Sequence, residues 1–292
     1  MSDPTEPGPP RPDHRRVVVV SGGTDGMGRA LALARAGRGD SVVAIGSDRD
    51  KGRRLLADAE RLGAQGRIDF VPADLSSVAG TRAVIDRIGE LHQVVDALGL
   101  FANRQSTRRV VTAEGLERTF ALYYVSRYLL GHGLAPLLRR SATPVIVNVA
   151  GTGVVQGRVH WDDLQLERRY RTITAQLQAG RANDLLGVAF VRSADNPIRY
   201  ALYHPGFTRS GDLGPLPAPV RLLIRATARL AARPVEESVA PVHGFIDHPP
   251  AAPLTAIDRG KPVPPTLRTQ DPADAERLAE MTEALLDATR HG

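Results

Sequence analysis

The residues best placed to do chemistry begin with the stretch SGGTDGMG at positions 21–28, which lies between the apolar run 17–20 and a helix-forming stretch from Arg29. Gly22 permits a tight turn, Gly26 lets the backbone approach a pyrophosphate, and Gly28 lets a helix pack on a strand. The N–H groups that open the helix would face the anion. Ser21, Gly22, Gly26, Met27 and Gly28 are therefore the expected cradle of a dinucleotide; the alternative is a tight turn that binds nothing. Asp74 and Leu75 fit an adenine contact, although Asp74 fits a helix N-cap equally well. Ser47, Asp48 and Arg49 stand where a carboxylate would hold a free ribose 2′-hydroxyl and an arginine would favour a 2′-phosphate, so NADP is expected ahead of NAD.

Groups for proton transfer are fewer. The chain has no cysteine, which excludes thiolate catalysis, disulfides and zinc–thiolate sites. Tyr123 has Arg127 one helical turn on, and a guanidinium beside a phenol can lower its pKa. The bland alternative is that Tyr123 and Tyr124 only fill space. Tyr170 is a second candidate, Thr152 offers a hydroxyl, and His160 with Asp162 and Asp163 could form an imidazole–carboxylate pair, or be a structural loop.

The elements that must position these groups alternate along the chain. Strands are expected at 17–20, 41–45, 67–71, 94–101, 144–149 and 198–203. Helices are expected at 26–36, 50–62, 78–91, 114–138 and 172–191, with a last one at 273–289. Such alternation implies a doubly wound parallel α/β sheet, a Rossmann fold, with ligands at the carboxyl ends of the strands. The expected layout is a leader at 1–14, rich in proline and charge, and one domain over 15–292. Between 212 and 272 only one helix is expected, at 220–232. Its apolar face fits packing on the domain, a lid or a membrane-surface patch.

The net charge of +6 is carried almost wholly by arginine spread along the chain, since Lys51 and Lys261 are the only lysines. With aromatics at 4%, this reads as a solvated surface rather than a nucleic-acid groove. No run is long and apolar enough for a membrane span, and residues 1–16 lack the apolar core of a secretory signal, so a cytoplasmic protein is expected.

The glycine loop, together with TAEGLERTF (112–120), VIVNVAG (145–151), GRVHWDDL (157–164), GRAND (180–184), YHPG (203–206) and the stretch from Asp271, resembles the short-chain dehydrogenase/reductase family. The likeness runs over nearly the whole chain from Arg15 and is nearest to retinol dehydrogenase-like members. It implies NAD(P) binding, a small apolar substrate, and homo-oligomers through the helices at 114–138 and 172–191. Such enzymes use a tyrosine, a lysine, a serine and an asparagine. Carried over by position, the tyrosine falls on Gln176, the lysine on Gly180, the serine on Gly151 and the asparagine on Tyr123. Ala102 and Asn103 stand in a changed Asn-Ala-Gly motif. The resemblance places Pro205, Gly206 and Ser210 against the nicotinamide. No tyrosine has lysine four residues on, so the usual proton partner is missing whatever the alignment. Three functions follow: a divergent oxidoreductase with a replacement acid; a non-redox cyclase, isomerase or dehydratase on the same scaffold; or a catalytically silent dinucleotide-binding protein.

Overall fold

A computed structural model describes residues 15–192, 195–206 and 234–291. The expected leader, the helix at 220–232 and Ser210 lie outside the described residues. Eight strands form one sheet: β1 (Val17–Ser21), β2 (Ser41–Gly46), β3 (Ile68–Pro72), β4 (Ala97–Leu100), β5 (Val145–Val149), β6 (Arg199–His204), β7 (Leu254–Asp258) and β8 (Lys261–Pro262). Their order is β3-β2-β1-β4-β5-β6-β7-β8, and only β8 runs antiparallel, to β7. The order reverses between β1 and β4, where an open α/β sheet leaves a crevice at its carboxyl edge.

Helices cover both faces. They are α1 (Gly26–Gly37), α2 (Arg49–Arg61), α3 (Val78–Leu91), α4 (118–138), α5 (Thr172–Val191), α6 (Val235–Asp247) and α7 (Pro272–His291). Side chains alternate across the strands, so each face has its own core. Val18, Val20, Val42, Ala44, Val145 and Val147 pack under α1, α2 and α6. Val19, Val43, Leu98, Leu100, Ile146, Tyr200 and Leu202 pack under α3, α4, α5 and α7. Near-continuous apolar strands are what a sheet buried on both faces requires.

Three expectations need correction. The helix foreseen from 114 begins at Arg118, because the Glu117 carboxylate caps it through Thr119 N and Phe120 N, both at 2.8 Å. Its second segment, Ala121–Val125, is π-helical, followed by α-helix over Ser126–Leu138. β4 is four residues rather than eight; Asp96, just before it, turns its carboxylate to Val17 N and Ser141 Oγ. The proline-rich region holds α6, β7 and β8, none of them foreseen. β7 and β8 join through Arg259 and Gly260, with φ of 50° and 82°, values that suit a two-residue hairpin turn.

Candidate functional site

The glycine loop leaves β1 and opens α1 as expected. Gly22 and Gly26 have φ of 70° and 50°, which glycine alone adopts at little cost. A Cβ on Gly28 would collide with the Gly22 carbonyl oxygen, so strand and helix meet too closely for any side chain there. Met27 is buried beneath. Ser21 does not face the cleft: it is wholly buried, and its hydroxyl accepts Phe101 N at 3.2 Å and Ala102 N at 3.4 Å. It braces β1 against the loop after β4. At the mouth of the cradle, the Asp25 carboxylate caps α1, accepting Gly26 N at 2.8 Å, and pairs with Lys51. This acid stands where an anion would bind.

After β2, the Asp48 carboxylate is engaged by backbone. It caps α2 by accepting Asp50 N at 2.9 Å and Lys51 N at 3.0 Å, and the Lys51 N–H bond is the leading cause that holds its carboxyl below the usual range. Ser47 and Arg49 are exposed, and Arg49 has no hydrogen bond or ion pair among the described residues. After β3, Asp74 accepts Ser76 N and Ser76 Oγ at 2.9 and 2.7 Å; the cap of α3 is Ser77 instead. Leu75 lies in the core.

The four positions that the sequence likeness singled out converge at the carboxyl ends of β4 and β5. Tyr123 Oη accepts Gly151 N at 3.2 Å. A Cβ on Gly180 would lie 4.0 Å from Gly151 Cα. Gln176, one turn earlier on α5, makes a reciprocal amide pair with Asn103 across the cleft, at 3.0 and 3.3 Å. No lysine, and no acid with an aqueous pKa near neutrality, occupies these four positions.

Beneath them lies a buried polar network. Arg127, wholly buried, donates to Asn148 Oδ1, to Val149 O at 2.9 Å and to Ala102 O at 3.0 Å, tying α4 to β4 and β5. Asn148 Nδ2 donates to Asn183 Oδ1 and Tyr200 Oη at 3.0 and 2.9 Å. Asn183 Nδ2 takes the Tyr123 carbonyl, in the π-helical segment, at 2.7 Å. The extra residue per turn of a π segment leaves a carbonyl free for such a partner.

The proposed replacement acids fare poorly in this geometry. The Tyr123 ring lies 4.6 Å beneath the Arg127 guanidinium, yet burial pushes its phenol above the ordinary value and Arg127 opposes this only in part. Tyr170 donates to Ser106 O at 2.9 Å and lies 3.2 Å from Thr119 Oγ1; burial raises its phenol too. Thr152 is fully buried and its hydroxyl faces the Asp184 carboxyl, beneath the loop rather than in the cleft. His160 bonds neither Asp162, which pairs with Arg168, nor Asp163, which caps Glu167 N.

Two features escaped the sequence reading. Asp184 Oδ2 accepts Gly153 N at 3.0 Å, and burial pushes its carboxyl up to about 6 despite that bond. His204 Nδ1 meets Asp258 Oδ1 at 2.8 Å, joining the ends of β6 and β7. An imidazole directly before Pro205-Gly206 was the available signal, but its partner lies on a strand that was not foreseen. Pro205 is buried, and Gly206, with φ of 84°, lies close against the Arg259 side chain.

With this geometry in view, the comparisons are direct. Residues 16–162 match the short chain dehydrogenase family model, and the chain belongs to that family of oxidoreductases. It is 28% identical over 179 residues to human polyprenol dehydrogenase, covering 59% of this chain and 52% of that protein. It thus spans about half the length of that relative. It is 28% identical over 286 residues to dehydrogenase/reductase SDR family member 12 of Bos taurus, covering 92% and 86%. Among solved structures, the Pseudomonas aeruginosa RhlG/NADP active-site complex superposes with a TM-score of 0.63 at 23% identity, covering 84% of this chain and 95% of that one. No helix among the described residues is long and apolar enough to cross a membrane.

Proposed function

We propose that this chain is a divergent NAD(P)-dependent oxidoreductase, retinol dehydrogenase-like, acting on a carbonyl or alcohol without the family's tyrosine and lysine. The observation that carries the reading is the glycine loop: two positive-φ glycines and a third that no other residue could replace, at the sheet's switch point. The residues fit a dinucleotide at its diphosphate end, through the backbone N–H groups that open α1, of which Gly26 N–H is held by Asp25. They fit less well at the nicotinamide ribose, where Gly180 replaces a donor and Asn103 carries a side chain. Bound there, a nicotinamide supplies or accepts hydride. The exposed Arg49, with Asp48 turned into its cap, supports NADP ahead of NAD. Pro205 and Gly206 present backbone at the nicotinamide end. The substrate is a small apolar molecule, and the protein acts in the cytoplasm, as a homo-oligomer.

The test is titration with NADPH and NADH followed by nicotinamide fluorescence, then turnover on aldehydes and ketones. Saturable binding with carbonyl reduction supports the proposal; failure to bind either nucleotide at millimolar concentration refutes it. A second reading, a silent dinucleotide binder or a non-redox enzyme, is favoured by the Tyr123–Gly151 bond and the Asn103–Gln176 pair, which fill the positions where proton chemistry would occur. Binding without carbonyl turnover would select it.

A further inference from the structure

We infer that His204 gives and takes the substrate proton, with Asp258 holding its ring. The inference rests on the oxidoreductase reading and supplies the acid–base group that reading lacks.

Parallel pairing sets His204 of β6 beside Asp258 of β7, so both side chains leave the same face of the sheet. Leu202 and Tyr200, two and four residues back on β6, pack into the core beneath α5. His204 therefore stands on the α5 side, the side that carries positions 123, 176 and 180. The pair lies between two of the loops that line the carboxyl edge. A Cβ on Gly153, in the loop after β5, would sit 3.9 Å from Asp258 Cβ, and one on Gly206, in the loop after β6, 3.0 Å from Arg259 Cγ.

The chemistry of the pair suits the task. Asp258 accepts from Nδ1, which fixes the tautomer and leaves Nε2 as the working nitrogen. The ring has no other hydrogen-bond partner among the described residues, and its side chain is 25% exposed. Burial would push the Asp258 carboxyl up, but hydrogen bonds from Arg259, at 3.0 and 2.9 Å, and from His204 outweigh it and keep the acid ionised. The charged groups beside the pair are Arg259, bonded to Asp258, and Lys261, opposite Asp258 on β8; from α5, Asp184 holds Gly153 N in the neighbouring loop and has Arg181 beside it. In the reducing direction the carbonyl carbon accepts hydride from the reduced nicotinamide and the carbonyl oxygen takes the Nε2 proton. The C=O π bond is lost and C–H and O–H bonds form. The products are the alcohol, the oxidised dinucleotide and a neutral imidazole that regains its proton from water.

The competing account is that the pair only ties β6 to β7. Histidine NMR of the wild-type chain separates the two, with the His204 ring signal identified by its loss in His204→Gln. The expected result is a ring signal that shifts on saturation with NADP⁺ and titrates at lower pH with NADP⁺ than with NADPH, because the oxidised ring is cationic. A signal indifferent to bound dinucleotide overturns the inference. In turnover, His204→Gln should lower kcat for ketone reduction at least ~100-fold with the NADPH Kd changed less than about twofold. Asp258→Asn should move the basic limb of the rate profile down by about one pH unit. Binding with turnover that survives His204→Gln overturns this inference alone. Binding without any carbonyl turnover, or no binding at all, overturns the oxidoreductase reading with it.

Discussion

Asp25 is the sharpest place to test whether phosphate sits at the start of α1. Its carboxylate occupies the Gly26 N–H and is balanced by Lys51. A diphosphate bearing two charges at about 6 Å from it, in a dielectric near that of water, is repelled by roughly 1.4 kcal/mol. Lys51 cancels about half of this, leaving roughly 0.7 kcal/mol, or about threefold in Kd. Asp25→Asn keeps an oxygen for the cap and removes the whole of the roughly 1.4 kcal/mol repulsion while the Lys51 attraction stays, so it should tighten NADPH about tenfold at low salt. Asp25→Gly also frees the Gly26 N–H, worth roughly another 0.7 kcal/mol, and should tighten binding about 30-fold. Lys51→Gln should weaken it about threefold. At high salt the Asn effect should vanish, while the hydrogen-bond share of the Gly effect persists. Fluorescence or calorimetric titration of the three variants at two ionic strengths reads all of this. If Asp25→Asn leaves the low-salt Kd unchanged, no phosphate lies at the α1 N-terminus and the cradle assignment is wrong.

Three further outcomes follow from the buried groups. Arg127→Met strands Asn148 Oδ1 and the carbonyls of Ala102 and Val149 in the core, and should cost about 3 kcal/mol in urea unfolding, with Arg127→Lys recovering little of it because one ammonium cannot reach three acceptors. Gly28→Ala forces α1 off β1; it should cost about 1–3 kcal/mol and abolish measurable dinucleotide binding. Asp184 has a folded pKa raised to about 6 from 3.8, by burial first. The folded state therefore holds the extra proton between those values, and stability falls as pH rises through that window and is flat above it. The loss is at most about 3 kcal/mol, so wild type should weaken relative to Asp184→Asn from pH 4 to 6.5, and a pH-independent difference between the two would contradict the assignment.

The parts of the molecule legible in its sequence are those set by short-range pattern. Short apolar runs marked six strands, and glycine spacing marked the tight turn from β1 into α1, because strand burial and turn geometry are local. The expected helix at 114–138 failed at both kinds of non-local event: a carboxylate at Glu117 reset its start, and the π segment at Ala121–Val125 exists to meet Asn183 from another helix. α6 was hidden by Pro234 at its cap and Pro241 within it, and β7 by the prolines just before it, Pro249, Pro250 and Pro253. Thr152 and Tyr170 were chosen for type and sequence position, yet which way a loop side chain turns depends on what packs behind it. Here Asp184 claims the underside of one loop and Ser106 the hydroxyl of the other.

The same logic explains how the corner at the carboxyl ends of β4 and β5 is filled. Gly151 and Gly180 remove side chains from a crowded corner, and the polar backbone there still needs partners, since an unpaired buried N–H or C=O costs about 1–3 kcal/mol. Tyr123 fills the volume and accepts the Gly151 N–H; Asn183 takes the carbonyl that the π segment frees; Arg127 collects two more carbonyls from strand ends. Each of these side chains satisfies a backbone group. The corner is thus consistent as structure. Any proton for a reaction at this edge must come from a group the network does not consume, and His204, with one ring nitrogen on Asp258 and the other without a described partner, meets that condition at the strand ends.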